Sequence, residues 1–201
     1  HTGLACVTGV QTCALPIPID SLKELIEKEG AETIAAFIAE PVQGSGGVNL
    51  PEGDYFKEVR KICDENDILF IADEVICGFG RTGKNFGMEQ FGILPDIITM
   101  AKGITSGYAP LGGMIISEKL HRELVEKTEG NFWHGYTYSG HPVAAVVALK
   151  NLEIIQEEKL IDNVKAMGEY MLKGFNWLKD KYDNIINVRG IGLLGAMSFE
   201  R

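Results

Sequence analysis

Residues 68–74 read ILFIADE. A short continuous apolar run with no helical spacing, bounded by polar residues, is the pattern of a strand buried on both faces. The run ends in two acids, Asp73 and Glu74, and passes into VICGFGRTG, 75–83. Upstream, TIAAFIAE (33–40) is a second such run that ends at Glu40 and turns at Pro41. Downstream, DIITMA (96–101) is a third, ending just before Lys102, and GGMIIS (112–117) is a fourth. Helical patterns separate them. IDSLKELIEKE (19–29) spaces Leu22, Leu25 and Ile26 at helical intervals, with Asp20 or Ser21 as the expected cap and Gly30 as the stop. A second amphipathic helix is expected over 52–66 through Tyr55, Phe56, Val59 and Ile62, and a third around 118–127. Apolar strands alternating with helices predict an α/β domain whose mostly parallel sheet carries helices on both faces. From His141 to about Lys181 the pattern is largely helical, and IINVRGIGLLGAMSFE (185–200) is strand-rich again. The expected division is therefore a partial large domain over 18–157, then a linking helix and the beginning of a smaller α+β domain over 158–201.

The chain has 201 residues, 45% hydrophobic and 23% charged, which is a globular composition with no membrane-spanning run. Its formal charge of -9 and the absence of a Lys/Arg cluster argue against nucleic acid as a partner. The four cysteines form no CxxC pair, and no histidine has zinc-ligand spacing, so a reduced, cytoplasmic protein without a metal is expected. Residues 1–17 lack the basic n-region of a signal peptide, and Val7–Ile17, VTGVQTCALPI, resembles the in-frame translation of a sequencing-adapter oligonucleotide. They are expected to be a non-native scar, leaving Cys63 and Cys77 as the native cysteines.

In a parallel α/β sheet, ligands bind at the carboxyl ends of the strands. Three of the predicted strands end at Glu40, Asp73 and Lys102, so acid and amine converge on one edge if those strands are neighbours. A lysine and an aspartate facing one crevice suit pyridoxal phosphate: the lysine forms a Schiff base and the aspartate keeps the pyridinium nitrogen protonated. A solvated lysine and an Asp-Glu turn or cap are the plain alternatives. GFGRTG (78–83) matches the GxGxxG of a dinucleotide-binding oxidoreductase, but DEVIC stands between strand and glycines, and no helical stripe follows. Ser139 and His141 are not set in a GxSxG frame, His134 and His141 lack the HExxH spacing, and Trp133, Tyr136 and Tyr138 read as packing aromatics. Arg81 is placed to meet an anion or a partner subunit, or to hold a turn by ion pairs.

Four segments carry a resemblance: EPVQG (40–44), FIADEVICGFGRTG (70–83), PDIITMAKGITSGYAPLGG (95–113) and HGYTYSGHPVAAVVAL (134–149). In this order, they resemble the class III aminotransferases, nearest the ω-amino acid and amine:pyruvate transaminases among the fold type I pyridoxal-phosphate enzymes. The resemblance implies Lys102 as the Schiff-base lysine, Asp73 as the pyridinium partner and Val75 against one ring face. It implies Thr137 as the hydroxyl reaching the cofactor phosphate of the neighbouring subunit, hence a homodimer. Glu40 stands where some relatives use a glutamate to manage a substrate-binding arginine. Ile76 replaces the glutamine that in several relatives contacts the cofactor's phenolic oxygen. The implied activity is transfer of an amino group from an amine or ω-amino acid to a keto acid such as pyruvate. Aminomutases of the same fold reuse the lysine and the aspartate. The chain itself is expected to be an inactive fragment, because the family's phosphate cup and most of its C-terminal domain have no counterpart in it.

Overall fold

The computed structural model describes residues 17–129 and 134–200. The first helix, α1 (Ile19–Glu29), buries Leu22 and Ile26 one turn apart and stops at Gly30, whose φ of 81° takes the chain out of the helix while its N–H still bonds Ile26 O at 3.0 Å. The expected cap is corrected. Pro18, extended at φ -54° and ψ 142°, precedes the first turn and accepts from Leu22 N–H at 3.0 Å, so Asp20 lies inside that turn, where its charge faces the unpaired amides.

Strand β1 (Ala36–Ala39) follows, then helix α2 (Tyr55–Glu65), strand β2 (Leu69–Asp73), strand β3 (Ile97–Met100) and strand β4 (Gly113–Ile116). They form one sheet in the order β1-β2-β3-β4, with the first two pairings parallel and the last antiparallel. The mostly parallel sheet read from the sequence is thus present. Phe70 and Ala72 point with Phe37, Ala39 and Ile98 into a core closed by Leu22 and Ile26 of α1 and Phe56, Val59 and Ile62 of α2. The rings of Phe37 and Phe56 lie 5.6 and 6.0 Å from that of Phe70, within the range where aromatic pairs attract. On the opposite face Ile38 and Met114 are 57% and 47% exposed.

A charged clamp fixes α2 to the start of the strands. Asp96 Oδ2 accepts from Arg60 at 2.7 Å and from Phe70 N–H at 2.8 Å, while Asp96 N–H donates to Phe70 O at 2.9 Å. Arg60 reaches Asp64 with its other Nη at 2.8 Å.

Helix α3 (Glu118–Lys127) is capped by Ser117, whose hydroxyl accepts from Leu120 N–H at 3.3 Å. Helices α4 (Pro142–Glu157) and α5 (Leu160–Lys181) are separated by Lys159 in the left-handed region at φ 52°. Strands β5 (Ile185–Ile191) and β6 (Leu194–Phe199) pair antiparallel. The hairpin packs on α5, and its Ile191, Leu194 and Ala196 meet buried Val42, Val48 and Cys77 from the loops after β1 and β2. Arg189 donates from Nε to Gly47 O at 2.7 Å, and Leu193 N–H to Arg81 O at 3.0 Å. Among the described residues no helix is long and apolar enough to cross a membrane. Residues 1–16 of the expected scar, and Trp133, lie outside the described residues.

Candidate active site

The order β1-β2-β3, parallel throughout, meets the condition set by the sequence: Glu40, Asp73 and Lys102 stand at the carboxyl ends of three neighbouring strands. Asp73 is the last residue of β2 and pairs across from Thr99 of β3. Its Oδ1 accepts from Val75 N–H at 3.1 Å, which curls the chain over the strand end, and the next residue ties back to β3 through Glu74 N–H to Thr99 O at 2.9 Å. Among the described residues the Asp73 carboxylate has no other hydrogen bond and no ion pair.

Lys102 opens a short 3₁₀ turn, Lys102–Ile104, just past β3. Its φ is 42°, a left-handed conformation that costs a residue with a side chain about 1–2 kcal/mol. The side chain is exposed and, among the described residues, pairs with no acid. A cavity of about 430 Å³ opens beside it, into which Val75, Ile76, Arg81 and Lys102 converge, closed on the far side by Ile155, Ile161 and Leu194.

The structure therefore brings Lys102, Val75 and Arg81 to one cavity. Asp73 stands at the same sheet edge without lining it. Glu40 folds back on its own loop, its Oε2 accepting from Gly44 N–H at 3.1 Å. Gly44 is packed so close that a Cβ there would lie 2.7 Å from Ile76 Cδ1, so the Glu40 loop and the Val75–Ile76 segment touch. Thr137 lies elsewhere, on an exposed turn over 137–140, between exposed Tyr136 and Tyr138. Ser139 belongs to that turn, its hydroxyl accepting from Tyr136 N–H at 2.9 Å, and His141 precedes α4. Among the described residues no group of three or more His, Cys, Asp or Glu side chains could hold a metal.

GFGRTG forms successive turns, with positive φ at Phe79 (59°), Gly80 (95°) and Gly83 (87°), and the next element is a 3₁₀ turn, Gly87–Gln90. A pyrophosphate site needs a helix N-terminus directly after the glycines, and none is there.

The sequence pairs Glu74 with Asp73 at the strand end, and the structure separates them. Glu74 is fully buried, and both its oxygens are taken by backbone: Oε2 by Gly87 N–H at 2.7 Å and Oε1 by Met88 N–H at 2.8 Å. Burial outweighs these two donors and raises its carboxyl above the usual range. Strand alternation contains the signal, because Phe70, Ala72 and Glu74 share the buried side while Asp73 faces the other way. Burial also pushes the Cys63 thiol up to about 11 and that of Cys77 up to about 12.

Comparison with known proteins agrees with this geometry. The family model "Aminotransferase class-III" matches residues 11–201. The chain belongs to the class-III aminotransferases. It is 48% identical over 179 residues to a putrescine–pyruvate aminotransferase of Pseudomonas aeruginosa, a match covering 89% of this chain and 39% of that enzyme. It superposes with a TM-score of 0.88 on the crystal structure of a transaminase from the marine bacterium Virgibacillus, at 54% identity over 90% of this chain and 41% of the other. With the (S)-enantioselective ω-transaminase of Thermomicrobium roseum the TM-score is 0.85 at 49% identity, covering 91% and 40%. The chain thus spans about two fifths of the length of these relatives.

Proposed function

We propose that the complete protein transfers an amino group from an amine or ω-amino acid to a keto acid such as pyruvate, acting as a homodimer with pyridoxal phosphate. Pyridoxal phosphate is the cofactor that membership of the family implies, and the residues present fit it. Among the described residues Lys102 offers an amine with no acid partner at the rim of a cavity, Asp73 keeps a carboxylate oxygen without a hydrogen bond at the same sheet edge, and Val75 lies in the cavity wall. When bound, the cofactor supplies an aldehyde carbon that captures amines and a ring that accepts electrons.

The chain's own residues do the rest. Lys102 would hold the cofactor through its amine and, once released, would move a proton at the substrate carbon as general base and acid. Asp73 would hold the ring nitrogen in its protonated form and so support the electron-accepting chemistry of the ring. Val75 would pack against the cofactor ring, and Thr137 would meet the cofactor phosphate of the neighbouring subunit. Arg81 serves the substrate side of the cavity, and Glu40 braces its loop. A partial large domain is read over 18–157, a linking helix and the beginning of a smaller domain over 158–201, and the compartment as cytoplasmic, which suits two buried free thiols.

The observation that carries this reading is the parallel neighbourhood of β2 and β3, which ends with Asp73 and Lys102 at one edge, neither of them in an ion pair among the described residues. Its test is product analysis of the complete protein given pyridoxal phosphate, pyruvate and a panel of amines that includes putrescine and ω-amino acids. Alanine formed in step with loss of donor amine is expected. A rearranged amine with no alanine would assign the site to an aminomutase instead.

A further inference from the structure

The turn that carries Lys102 is held by a residue to which no motif points. Asn151, half-buried on α4, spends its whole amide on this turn. Its Nδ2 donates to Gly103 O at 2.9 Å and to Ile104 O at 3.1 Å, and its Oδ1 accepts from Ser106 Oγ at 2.7 Å. The turn's own backbone bonds, Ile104 N–H to Ala101 O, Thr105 N–H to Lys102 O and Ser106 N–H to Gly103 O, are longer, at 3.2 to 3.3 Å.

Such a hold is needed because Lys102 and Ser106, at φ 42° and 48°, are both left-handed. Conformations of this kind persist only where the surroundings over-determine them. On the other flank Phe79, itself at φ 59°, presses against the turn: a Cβ on Gly103 would lie 3.1 Å from it. Lys102 is thus followed by a glycine wedged between an aromatic ring and an asparagine amide. Ile155, one turn on from Asn151 along the same face of α4, lines the cavity into which Lys102 opens.

We infer that Asn151 is a positioning residue for Lys102: by clamping Gly103, Ile104 and Ser106 it fixes the left-handed turn from which the lysine amine enters the cavity. This rests on the role proposed for Lys102. Asn151→Leu keeps the volume and removes all three bonds. Asn151→Asp keeps the acceptor for Ser106 and removes both donors, and Ser106→Ala removes one bond. Asn176→Leu, which removes only a bond within α5 to Leu172 O, is the control.

The experiment titrates the complete, cofactor-free protein with pyridoxal phosphate, reduces with borohydride, and quantifies label on the Lys102 peptide against label on surface lysines, with thermal midpoints measured in parallel. Asn151→Leu is expected to need about thirtyfold more cofactor for half-maximal labelling of Lys102, Asn151→Asp about tenfold more and Ser106→Ala about threefold more, the scale of three, two and one neutral hydrogen bonds. Surface labelling and the Asn176→Leu control stay at the wild-type level. If Asn151→Leu does not fold, Asn151→Asp and Ser106→Ala decide. Wild-type labelling of Lys102 in these variants, or a loss that merely follows their unfolding, overturns the inference. A wild-type protein that takes no label on Lys102 overturns the reading on which it rests.

Discussion

Asp73 lies directly across from Thr99 in the parallel register of β2 and β3, and Lys102 opens the turn just beyond β3. The register fixes Asp73 against the end of β3, and the turn beyond that end carries Lys102. A slip by one residue would also turn Phe70 and Ala72 out of the core, so the burial that builds the fold also fixes which strand ends are neighbours.

Asp73→Asn tests the charge apart from the shape. The amide fills the same space and leaves β2 intact, so the complete protein is expected to fold and retain cofactor while kcat falls on the order of 10²–10³-fold, as when one preorganised electrostatic group is lost. Steady-state kinetics alongside the absorbance of bound cofactor measure both halves. An unchanged kcat would remove Asp73 from the chemistry.

Glu74 predicts a stability effect with a definite sign in pH. Glu74→Leu leaves the Gly87 and Met88 amides buried and unpaired and should cost about 2–4 kcal/mol in urea unfolding. Because the folded carboxyl is raised above its ordinary 4.5, the folded state binds that proton more tightly than the unfolded state. Its contribution is therefore fully present below pH 4.5 and is lost as pH rises through the raised value. The stability gap between wild type and Glu74→Gln should accordingly narrow with rising pH in that window, and a gap that widens would show the sign to be wrong.

Arg60 bridges two aspartates that should not be equivalent. Asp96 is mostly shielded and also accepts from Phe70 N–H, whereas the Asp64 side chain is 65% exposed. Asp96→Ala is expected to cost about 2–3 kcal/mol and Asp64→Ala no more than about 0.5 kcal/mol. Equal losses in chemical denaturation would mean that the clamp does not act through the strand.

Cys63 and Cys77 should resist alkylation in the folded protein. Both thiols are buried and pushed up to about 11 and about 12, so little thiolate exists at pH 8. Mass spectrometry after iodoacetamide treatment should find them modified only once the protein is unfolded, and rapid native modification would contradict the burial described.

The sequence reads most clearly where one physical rule acts alone. ILFIADE, DIITMA and the Leu22/Ile26 spacing state their strands and helix because burial alone selects those residues, and four motifs in order identify the family. Three features were not legible. The antiparallel sense of β4 depends on how the loop after Lys102 returns, which apolar alternation does not encode. The left-handed backbone of Lys102 goes against its own preference and is imposed by Phe79 and Asn151, residues distant in sequence. Glu74 was read with Asp73 as one acidic pair, whereas the period of two sends them to opposite sides of the sheet.

The central claim, that Lys102 is the amine that holds the cofactor, is tested most directly by reducing the complete protein with borohydride in the presence of pyridoxal phosphate and mapping the modified peptides by mass spectrometry. One dominant adduct is expected, on Lys102, absent from Lys102→Ala together with all amino transfer. Label scattered over surface lysines, or a Lys102→Ala variant that still transfers amino groups at the wild-type rate, would contradict it.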